Sequence, residues 1–193
     1  MQERIRCPWC LSDDTYTKYH DKEWGRPLKN DRKLFEFFVL EGAQAGLSWI
    51  TILKRREGYR EAFEGMNPEV IARYGERDIK RLMQDTGIIR NRRKIESAIG
   101  NARAYLKMTE GPLSFSKWLW NWVDGEPVIN HFKTMKEIPA STPLSETISK
   151  DLKKRGFSFV GPTIMYAYMQ AVGLVNDHLT NCFLHPDNER GRR

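Results

Sequence analysis

The sequence predicts an all-α protein, and three observations support this fold class. Apolar residues recur at the helical spacing of three and four positions through most of the 193 residues. The apolar–polar alternation that is typical of half-buried strands is almost absent. A capping residue followed by proline, which favours the first turn of a helix, occurs at Asn67-Pro68, Thr142-Pro143 and Gly161-Pro162.

The first half of the chain contains four predicted helices. They cover residues 31–44, residues 48–63, a short segment that begins at Asn67-Pro68, and residues 76–84. Their apolar positions are Leu34, Phe37 and Phe38; Trp49, Ile52, Leu53 and Phe63; Val70 and Ile71; and Ile79, Leu82 and Met83.

The second half contains four more predicted helices. They cover residues 91–108, residues 114–123, a segment from Thr142-Pro143 that Gly156 ends, and a long segment from Gly161-Pro162. Their apolar positions include Ile95, Ile99, Ala102 and Leu106; Phe115, Trp118, Leu119 and Trp122; and Ile164, Met165, Tyr168, Met169 and Val172. We expect one folded unit over residues 1–187, with a flexible polar tail at 188–193.

Composition narrows the class of partner. The net charge of +7 favours a polyanion such as nucleic acid or a membrane surface. No apolar run approaches the roughly 20 residues that cross a bilayer, and the first six residues lack the apolar core of a secretory signal. We therefore expect a cytoplasmic protein, with a monomer as the default state. Three cysteines in a reducing compartment argue against a disulfide framework.

Glu41 occupies the apolar stripe that Leu34, Phe37 and Phe38 define. Glutamate is rarely buried without a partner, so spacing alone is equally consistent with a helix-end side chain that reaches solvent. The alternative is a carboxylate at the floor of an apolar pocket. The small residues 42–46 would let another backbone approach closely, and Trp49 follows them. An acid beside aromatic rings is typical of a site that holds a flipped-out base.

Residues 85–94 predict a basic turn between two helices. Gly87 is expected to permit the tight turn, and Arg90, Arg92, Arg93 and Lys94 crowd the start of the second helix. Each exposed cation there opposes the helix dipole by roughly 0.3–1 kcal/mol. Exposed amides and arginines both suit a phosphate, although a solvated charge run is the alternative. For the other basic runs, at residues 54–56 and 153–155, we favour the solvated interpretation.

Two cysteines and two histidines near the chain ends could bind a metal. They are Cys7 and His20 near the start, and His178 and Cys182 near the end. A set of this kind suits a closed, tetrahedral, structural zinc site that ties the termini together. Cys10 and His185 are rival ligands, and Cys7-Pro-Trp-Cys10 is also compatible with a redox motif.

Four blocks of sequence resemble the 3-methyladenine DNA glycosylase I family. They are His20 to Gly25, Leu40 to Trp49, Thr86 to Arg90 and Gly173 to His178, and the similarity extends from about Cys7 to Cys182. The block that begins at Leu40 is the most specific.

The resemblance implies a helix-hairpin-helix glycosylase fold that consists of a helical lobe and a zinc-stapled terminal lobe. The hairpin falls on the basic turn, with Gly87, Ile88, Arg90 and Arg92 at the DNA. Among the candidate ligands, the resemblance selects Cys7, His20, His178 and Cys182 for zinc. Cys10 is an addition to the family pattern, so exchange with Cys7 is conceivable.

The resemblance also implies roles at the pocket. Glu41 and Tyr19 contact the edge of the methylated base, Trp49 stacks on it, and Leu47 after Gly46 fills the gap that the flipped nucleotide leaves. The family lines its pocket at the positions of Trp9, Tyr16 and Trp24. Related glycosylases carry an aspartate near the helix after the hairpin, but none occurs here between Asp85 and Asp124. The residue that activates water is therefore unassigned.

The expected function is monofunctional, hydrolytic excision of 3-methyladenine from alkylated double-stranded DNA. A non-catalytic DNA-binding module would use the same hairpin but would need no acid in an aromatic pocket. A zinc-dependent hydrolase would need an open metal site, and nothing in the sequence singles one out.

Overall fold

Helices dominate the chain. A computed structural model describes residues 4–190, and nearly all regular structure in that range is helical. The helices are α1 (Asp14–Lys22), α2 (Asp31–Gln44), α3 (Trp49–Leu53), α4 (Arg56–Ala62), α5 (Pro68–Ile71), α6 (Glu76–Gln84), α7 (Arg92–Thr109), α8 (Phe115–Trp120), α9 (Pro143–Lys154), α10 (Pro162–Ala171) and α11 (Pro186–Arg190). None of these described helices is both long and apolar enough to span a membrane. The all-α prediction is confirmed.

Helix α2 lies at the centre of the fold. Its N-terminus is capped by Asn30, whose side-chain oxygen accepts a hydrogen bond from the Lys33 amide at 3.0 Å. All eight residues from Leu34 to Glu41 are buried, because α3, α7, α8 and α10 pack around the helix. The stretch from Leu34 to Glu41 therefore has no solvent face. The stripe predicted for this segment therefore understates how deeply it is buried.

Helices α9 and α10 begin at the prolines that predict them. The Thr142 hydroxyl accepts a hydrogen bond from the Ser145 amide, and the Ser145 hydroxyl accepts one from the Thr142 amide. Gly156 follows α9 with a φ of +89°, a left-handed conformation that glycine adopts without strain. Both ends of α9 are thus fixed by local sequence.

The single helix predicted over residues 48–63 is wrong in one respect. The segment forms α3 and α4, with a break at Lys54 and Arg55. The two side chains at the break have different tertiary partners. Lys54 pairs with Asp13 at 2.6 Å, and Arg55 donates to the carbonyl of Thr86. The predicted helix at 114–123 likewise ends at Trp120 and continues as a 3-10 turn.

The chain ends are fixed by a short parallel strand pair and a final helix. β1 (Val128–Ile129) pairs with β2 (Val175–Asn176), which leads directly into His178. Helix α11 runs past the expected start of the tail. The side-chain amide of Asn188 donates to the carbonyls of Thr180 and Cys182 at 2.9 and 2.8 Å. The rest of the expected tail, residues 191–193, lies outside the described residues.

Candidate active site

Glu41 lies in the interior near the C-terminal end of α2. Its side chain is 3% exposed, and its Oε2 atom has no hydrogen-bond partner among the described residues. Burial raises the pKa of the carboxyl to about 8, because the charged form loses its hydration. The alternative of a glutamate that reaches bulk solvent is therefore wrong.

Two further unpaired polar groups belong to residues that line the same cavity as Glu41. The hydroxyl of Tyr19, on α1, and the indole Nε1 of Trp49, at the start of α3, are buried and have no partner within residues 4–190. The two rings lie 5.7 Å apart between centroids. Most buried polar groups are paired, and an unpaired one costs about 1–3 kcal/mol. Three such groups in one cavity indicate a ligand-binding site.

The other aromatic residues predicted for the pocket also converge there. The Trp9 ring lies 5.3 Å from Tyr16 and 5.1 Å from Trp24, with edge-to-face geometry in both pairs. Tyr16 links α1 to α3, because its hydroxyl accepts a hydrogen bond from the Ile50 amide at 3.0 Å. The structure thus brings all six predicted pocket residues together.

These residues line one cavity of about 380 Å³, which suits a purine-sized ligand. The lining residues are Trp9, Tyr16, Tyr19, Trp24, Glu41, Gln44, Trp49, Met135, Ile138, Ala167 and Gln170. Gln170 is held in place because its Nε2 donates to the buried carboxylate of Asp177 at 2.7 Å.

Lys94 supports the segment that carries Glu41. Its ammonium donates to the carbonyls of Ala43 and Ala45 at 2.8 and 2.6 Å, where α2 ends. A cation at a helix C-terminus is favoured by the helix dipole. Burial lowers the pKa of Lys94. Lys94 therefore acts within the fold rather than as a free cation of the basic turn.

Arg56 is another cation with an interior role. Its side chain is 12% exposed, pairs with Glu23 at 2.6 Å and lies over the rings of Tyr19 and Phe37 at 5.8 and 5.5 Å. The solvated interpretation of residues 54–56 is therefore wrong for Arg56, which packs behind the pocket, whereas Lys54 is exposed.

The loop between α2 and α3 lies beside the pocket. Gly46 has a φ of +77°, a left-handed conformation that is strained for residues with a Cβ. Leu47 follows it and is 41% exposed, which is unusual for a large apolar residue at a turn. The geometry presents one apolar side chain to the outside next to the cavity.

Gly87 is needed for close packing rather than for its dihedral angle. Its φ is not positive, so the tight turn does not use a conformation that only glycine adopts easily. Its Cα instead meets Gly58 of α4, where an added Cβ would lie 2.9 Å from the Gly87 Cα. No real Cβ approaches another carbon so closely. The two glycines let the turn after α6 lie directly on α4.

The side chains of this turn differ in their exposure and in whether a carboxylate already pairs with them. Arg92 pairs with Glu76 at 2.6 Å and with Glu96 at 2.7 Å. Arg90 is exposed, and the described residues offer it no carboxylate partner. The Ile88 side chain is 2% exposed, so only its backbone can face a ligand.

A second polar cluster adjoins the pocket and includes His20, the residue after Tyr19 on α1. Cys7, His20, His178 and Cys182 are all buried, and their ligand atoms lie within 4.8 Å of one another. The Cys182 Sγ is 3.5 Å from His20 Nε2 and 3.6 Å from His178 Nδ1. Hydrogen bonding from the Cys7 thiol, and then from the two rings, lowers the pKa of Cys182. Two thiol groups and two imidazoles in this arrangement are typical of a structural zinc site.

The remaining nitrogen of each histidine has its own partner. His20 Nδ1 lies 2.8 Å from Asp21, which Arg6 holds in turn, and His178 Nε2 lies 3.2 Å from the carbonyl of Trp24. Partners of this kind fix the ring orientation and tautomer of metal-binding histidines.

The two rival ligands lie elsewhere. The Cys10 thiol donates to the Cys7 carbonyl at 3.1 Å and does not join the cluster. His185 belongs to a different group of side chains. No disulfide links the described cysteines.

The sequence and the fold of this chain are similar to those of known proteins. Residues 9–185 match the family described as methyladenine glycosylase. The chain belongs to the methyladenine glycosylase family. It is 52% identical to DNA-3-methyladenine glycosylase 1 of Escherichia coli, over 95% of this chain and 98% of that protein. It is 49% identical to DNA-3-methyladenine glycosylase of Haemophilus influenzae, over 92% and 96% of the two chains.

Solved structures of methyladenine glycosylases have the same fold. A crystal structure of 3-methyladenine DNA glycosylase I superposes with a TM-score of 0.92 at 54% identity, and covers 94% of this chain and 100% of that chain. The Staphylococcus aureus enzyme, solved to explain how it recognises 3-methyladenine, gives a TM-score of 0.90 at 39% identity over 94% and 96% of the chains. The resemblance inferred from the four sequence blocks is confirmed.

Sequence reasoning missed several parts of this methyladenine glycosylase site. Gln44, Met135, Ile138, Ala167 and Gln170 also line the cavity, and the last four have no local signal in the sequence. Gln44 lies within the most specific block, so the signal was present for that residue alone.

Proposed function

We propose that this chain excises 3-methyladenine from alkylated double-stranded DNA by hydrolysis of the N-glycosidic bond, without cleaving the strand. The three unpaired polar groups of Glu41, Tyr19 and Trp49 around one aromatic cavity carry the proposal. A purine that enters the cavity would supply the partners that these groups lack. The relatives support this activity, since both curated proteins are named for it.

The chemistry needs little acid catalysis, because the lesion is a cation. Its glycosidic bond breaks to leave a neutral base, and a water molecule adds to the sugar carbon and loses a proton. The ring of Trp49 attracts a cationic base more strongly than a neutral one. Glu41 accepts hydrogen bonds from the base edge, together with Tyr19, and its negative charge favours the cation.

Binding of the cation changes the protonation of Glu41. With a pKa of about 8, the carboxyl is mostly protonated at pH 7 in the free protein. A positive charge nearby lowers the pKa of a carboxyl. The lesion therefore displaces a proton from Glu41 as it binds, whereas unmodified adenine offers no such exchange.

The DNA would lie across the turn after α6 and the loop after α2. Leu47 and Gly46 fill the position that the flipped nucleotide vacates. The backbone of Gly87 and Ile88 and the guanidinium of Arg90 contact phosphates. Arg92 contributes less than the sequence predicts, since Glu76 and Glu96 already pair with it.

The cysteine–histidine cluster would hold one Zn²⁺ with a structural role. Its four ligand groups are buried, and both histidines have outer partners, which fits a closed site. The ion would join the segment before α1 to the segment after β2. We propose that the chain acts as a monomer.

The test is to identify the base that the protein releases from methylated duplex DNA. We expect free 3-methyladenine, and abasic sites in strands that stay intact until alkali is added. Release of no methylated base would contradict the proposal. Strand breaks without alkali would contradict its monofunctional part.

A further inference from the structure

A third polar cluster lies near the C-terminus and takes no part in the proposed activity. It consists of His131, just after β1, His185, and Asp187 in α11. His131 Nε2 is 3.3 Å from Asp187 Oδ2, and His185 Nδ1 is 3.6 Å from the same oxygen. The two imidazole rings lie 5.1 Å apart between centroids.

These separations are close to those of ligands around one metal ion. Zn²⁺ binds nitrogen and oxygen at about 2.0–2.2 Å in a tetrahedron, so two of its ligands lie about 3.3–3.6 Å apart. Both measured separations in the cluster fall in this range or at its edge. An ordinary surface pair of histidine and aspartate needs only one such approach, whereas here one carboxylate oxygen meets two imidazole nitrogens.

His185 is prepared for a ligand role. Its side chain is fully buried, and its Nε2 lies 3.1 Å from the Asn130 carbonyl, which can only accept. The proton therefore resides on Nε2, and Nδ1 presents its lone pair toward Asp187. The Asp187 amide donates to that lone pair at 3.3 Å, a long hydrogen bond that an ion at Nδ1 would replace. A second ring nitrogen bound to a backbone carbonyl is typical of metal-ligating histidines.

We propose that His131, His185 and Asp187 bind one divalent transition ion of the zinc type. His131 and Asp187 are 60% and 59% exposed, so the ion can enter from solvent and water can complete its coordination. Two imidazoles and one carboxylate, without a thiolate, distinguish this open site from the cysteine–histidine cluster. The ion links the segment after β1 to α11 and so fixes the C-terminal helix.

Equilibrium dialysis against Zn²⁺ tests the proposal as a difference between variants. We expect the natural chain to bind one equivalent more than His131→Gln or Asp187→Asn, which change exposed side chains and leave the core intact. Loss of an outer partner of a metal ligand weakens binding about 10–100-fold, so loss of a ligand should weaken this equivalent at least about tenfold. Glu126→Gln, which alters an exposed carboxylate on the segment before β1, is the matched control and should bind as the natural chain does.

Co²⁺ distinguishes the two sites by their ligands. An ion bound to thiolates gives an intense sulfur-to-cobalt charge-transfer band, and the equivalent bound at His131 should add none. Ring proton resonances of His131 should shift or broaden with that equivalent. Equal zinc content in the natural chain and in either variant overturns the three-ligand site, and so does an extra equivalent that adds thiolate absorption.

Discussion

The aromatic pocket and the cysteine–histidine cluster both include buried polar side chains of α1, and they differ in how those side chains are hydrogen-bonded. Tyr19 and His20 are neighbours on α1, and they face the aromatic pocket and the cysteine–histidine cluster respectively. Trp24 belongs to both, because its ring lines the pocket and its carbonyl meets His178.

The difference lies in where the partners come from. In the cluster, each thiol and imidazole meets another member or a fixed outer group. In the pocket, Glu41, Tyr19 and Trp49 keep polar atoms unpaired within the described chain. Unpaired groups persist only where the surroundings hold them in place. The cluster is thus paired within the chain, whereas the pocket leaves its pairing to a ligand.

Loss of a cluster ligand should have the largest effect. Cys182→Ser leaves the other buried side chains of the cluster without their partner, and loss of the proposed metal site would belong to the changes that exceed about 4 kcal/mol. For a chain of this length we expect the melting temperature to fall by about 8–16 °C. Calorimetry of the purified variant measures the shift.

Cys10→Ser is the matched control, since this buried thiol lies outside the cluster and a hydroxyl can still donate to the Cys7 carbonyl. Equal melting temperatures for the two variants would break the proposed contrast. Prolonged chelation should lower the melting temperature of the natural chain but not that of Cys182→Ser.

Glu41→Gln should affect activity and stability in opposite directions. Excision should fall by roughly 10²–10³-fold in kcat/KM, as for loss of one electrostatic contact to a reacting group. Lys33→Gln, at the exposed start of the same helix, is the control and should retain full activity. Undiminished excision by Glu41→Gln would remove this carboxylate from the site.

The stability of the same variant should depend on pH. The carboxyl pKa is about 8 in the folded chain and 4.5 without burial. Between these values the folded state holds one proton more than the unfolded state, so the natural chain loses stability as pH rises. Glu41→Gln removes this loss, and we expect it to be more stable at pH 8 by a few kcal/mol but not at pH 4.5. Denaturant unfolding at both pH values measures the difference.

Excision by the natural chain should rise with pH. The charged carboxylate is the form that favours a cation, and its fraction increases about tenfold for each pH unit below 8. We expect kcat/KM to increase up to about pH 8 and then level off. Glu41→Gln should lack this rise, and a flat profile in the natural chain would show that the carboxyl is already ionised.

Lys94→Met tests whether the end of α2 needs its cation. The variant keeps an apolar stem but loses two charge-assisted hydrogen bonds to Ala43 and Ala45, which are worth about 1.5–3 kcal/mol. Stability and excision should both fall. Lys107→Met, exposed on the same helix α7, should change neither.

The smallest effects should occur at the basic turn, where the same contrast appears on the surface. Arg90 lacks a carboxylate partner among the described residues, whereas Arg92 has two. Arg90→Gln should reduce the salt dependence of DNA binding by about one phosphate contact, for all sequences alike. Arg92→Gln should reduce it less. Equal slopes of log binding constant against log salt concentration for the two variants would show that Arg92 leaves Glu76 and Glu96 to contact DNA.

Local signals explain how much of the molecule the sequence predicts. The ends of α9 and the start of α10 are visible because caps, prolines and glycines act within a few residues. The chemistry of the pocket is visible because Glu41 interrupts an apolar stripe, and the family blocks name its neighbours. The break between α3 and α4 is hidden, since Lys54 and Arg55 are directed by Asp13 and Thr86.

Long-range contacts account for the rest. Lys94 is about fifty residues from the carbonyls that it caps, so the sequence shows it only as part of a basic run. Arg56 has the same appearance, although it packs on Tyr19. Periodicity describes which side of a helix is apolar, and it carries no record of which distant group completes a polar side chain.

The backbone contact between Gly58 and Gly87 sets a fixed length in the molecule. Because each residue lacks a Cβ, α4 and the turn after α6 touch with no side chain between them. A methyl group at Gly58 would overlap the Gly87 carbonyl and move the turn outward. The distance between α4 and the turn that carries Arg90 is therefore set by the missing side chain at Gly58, and an alanine there would change it.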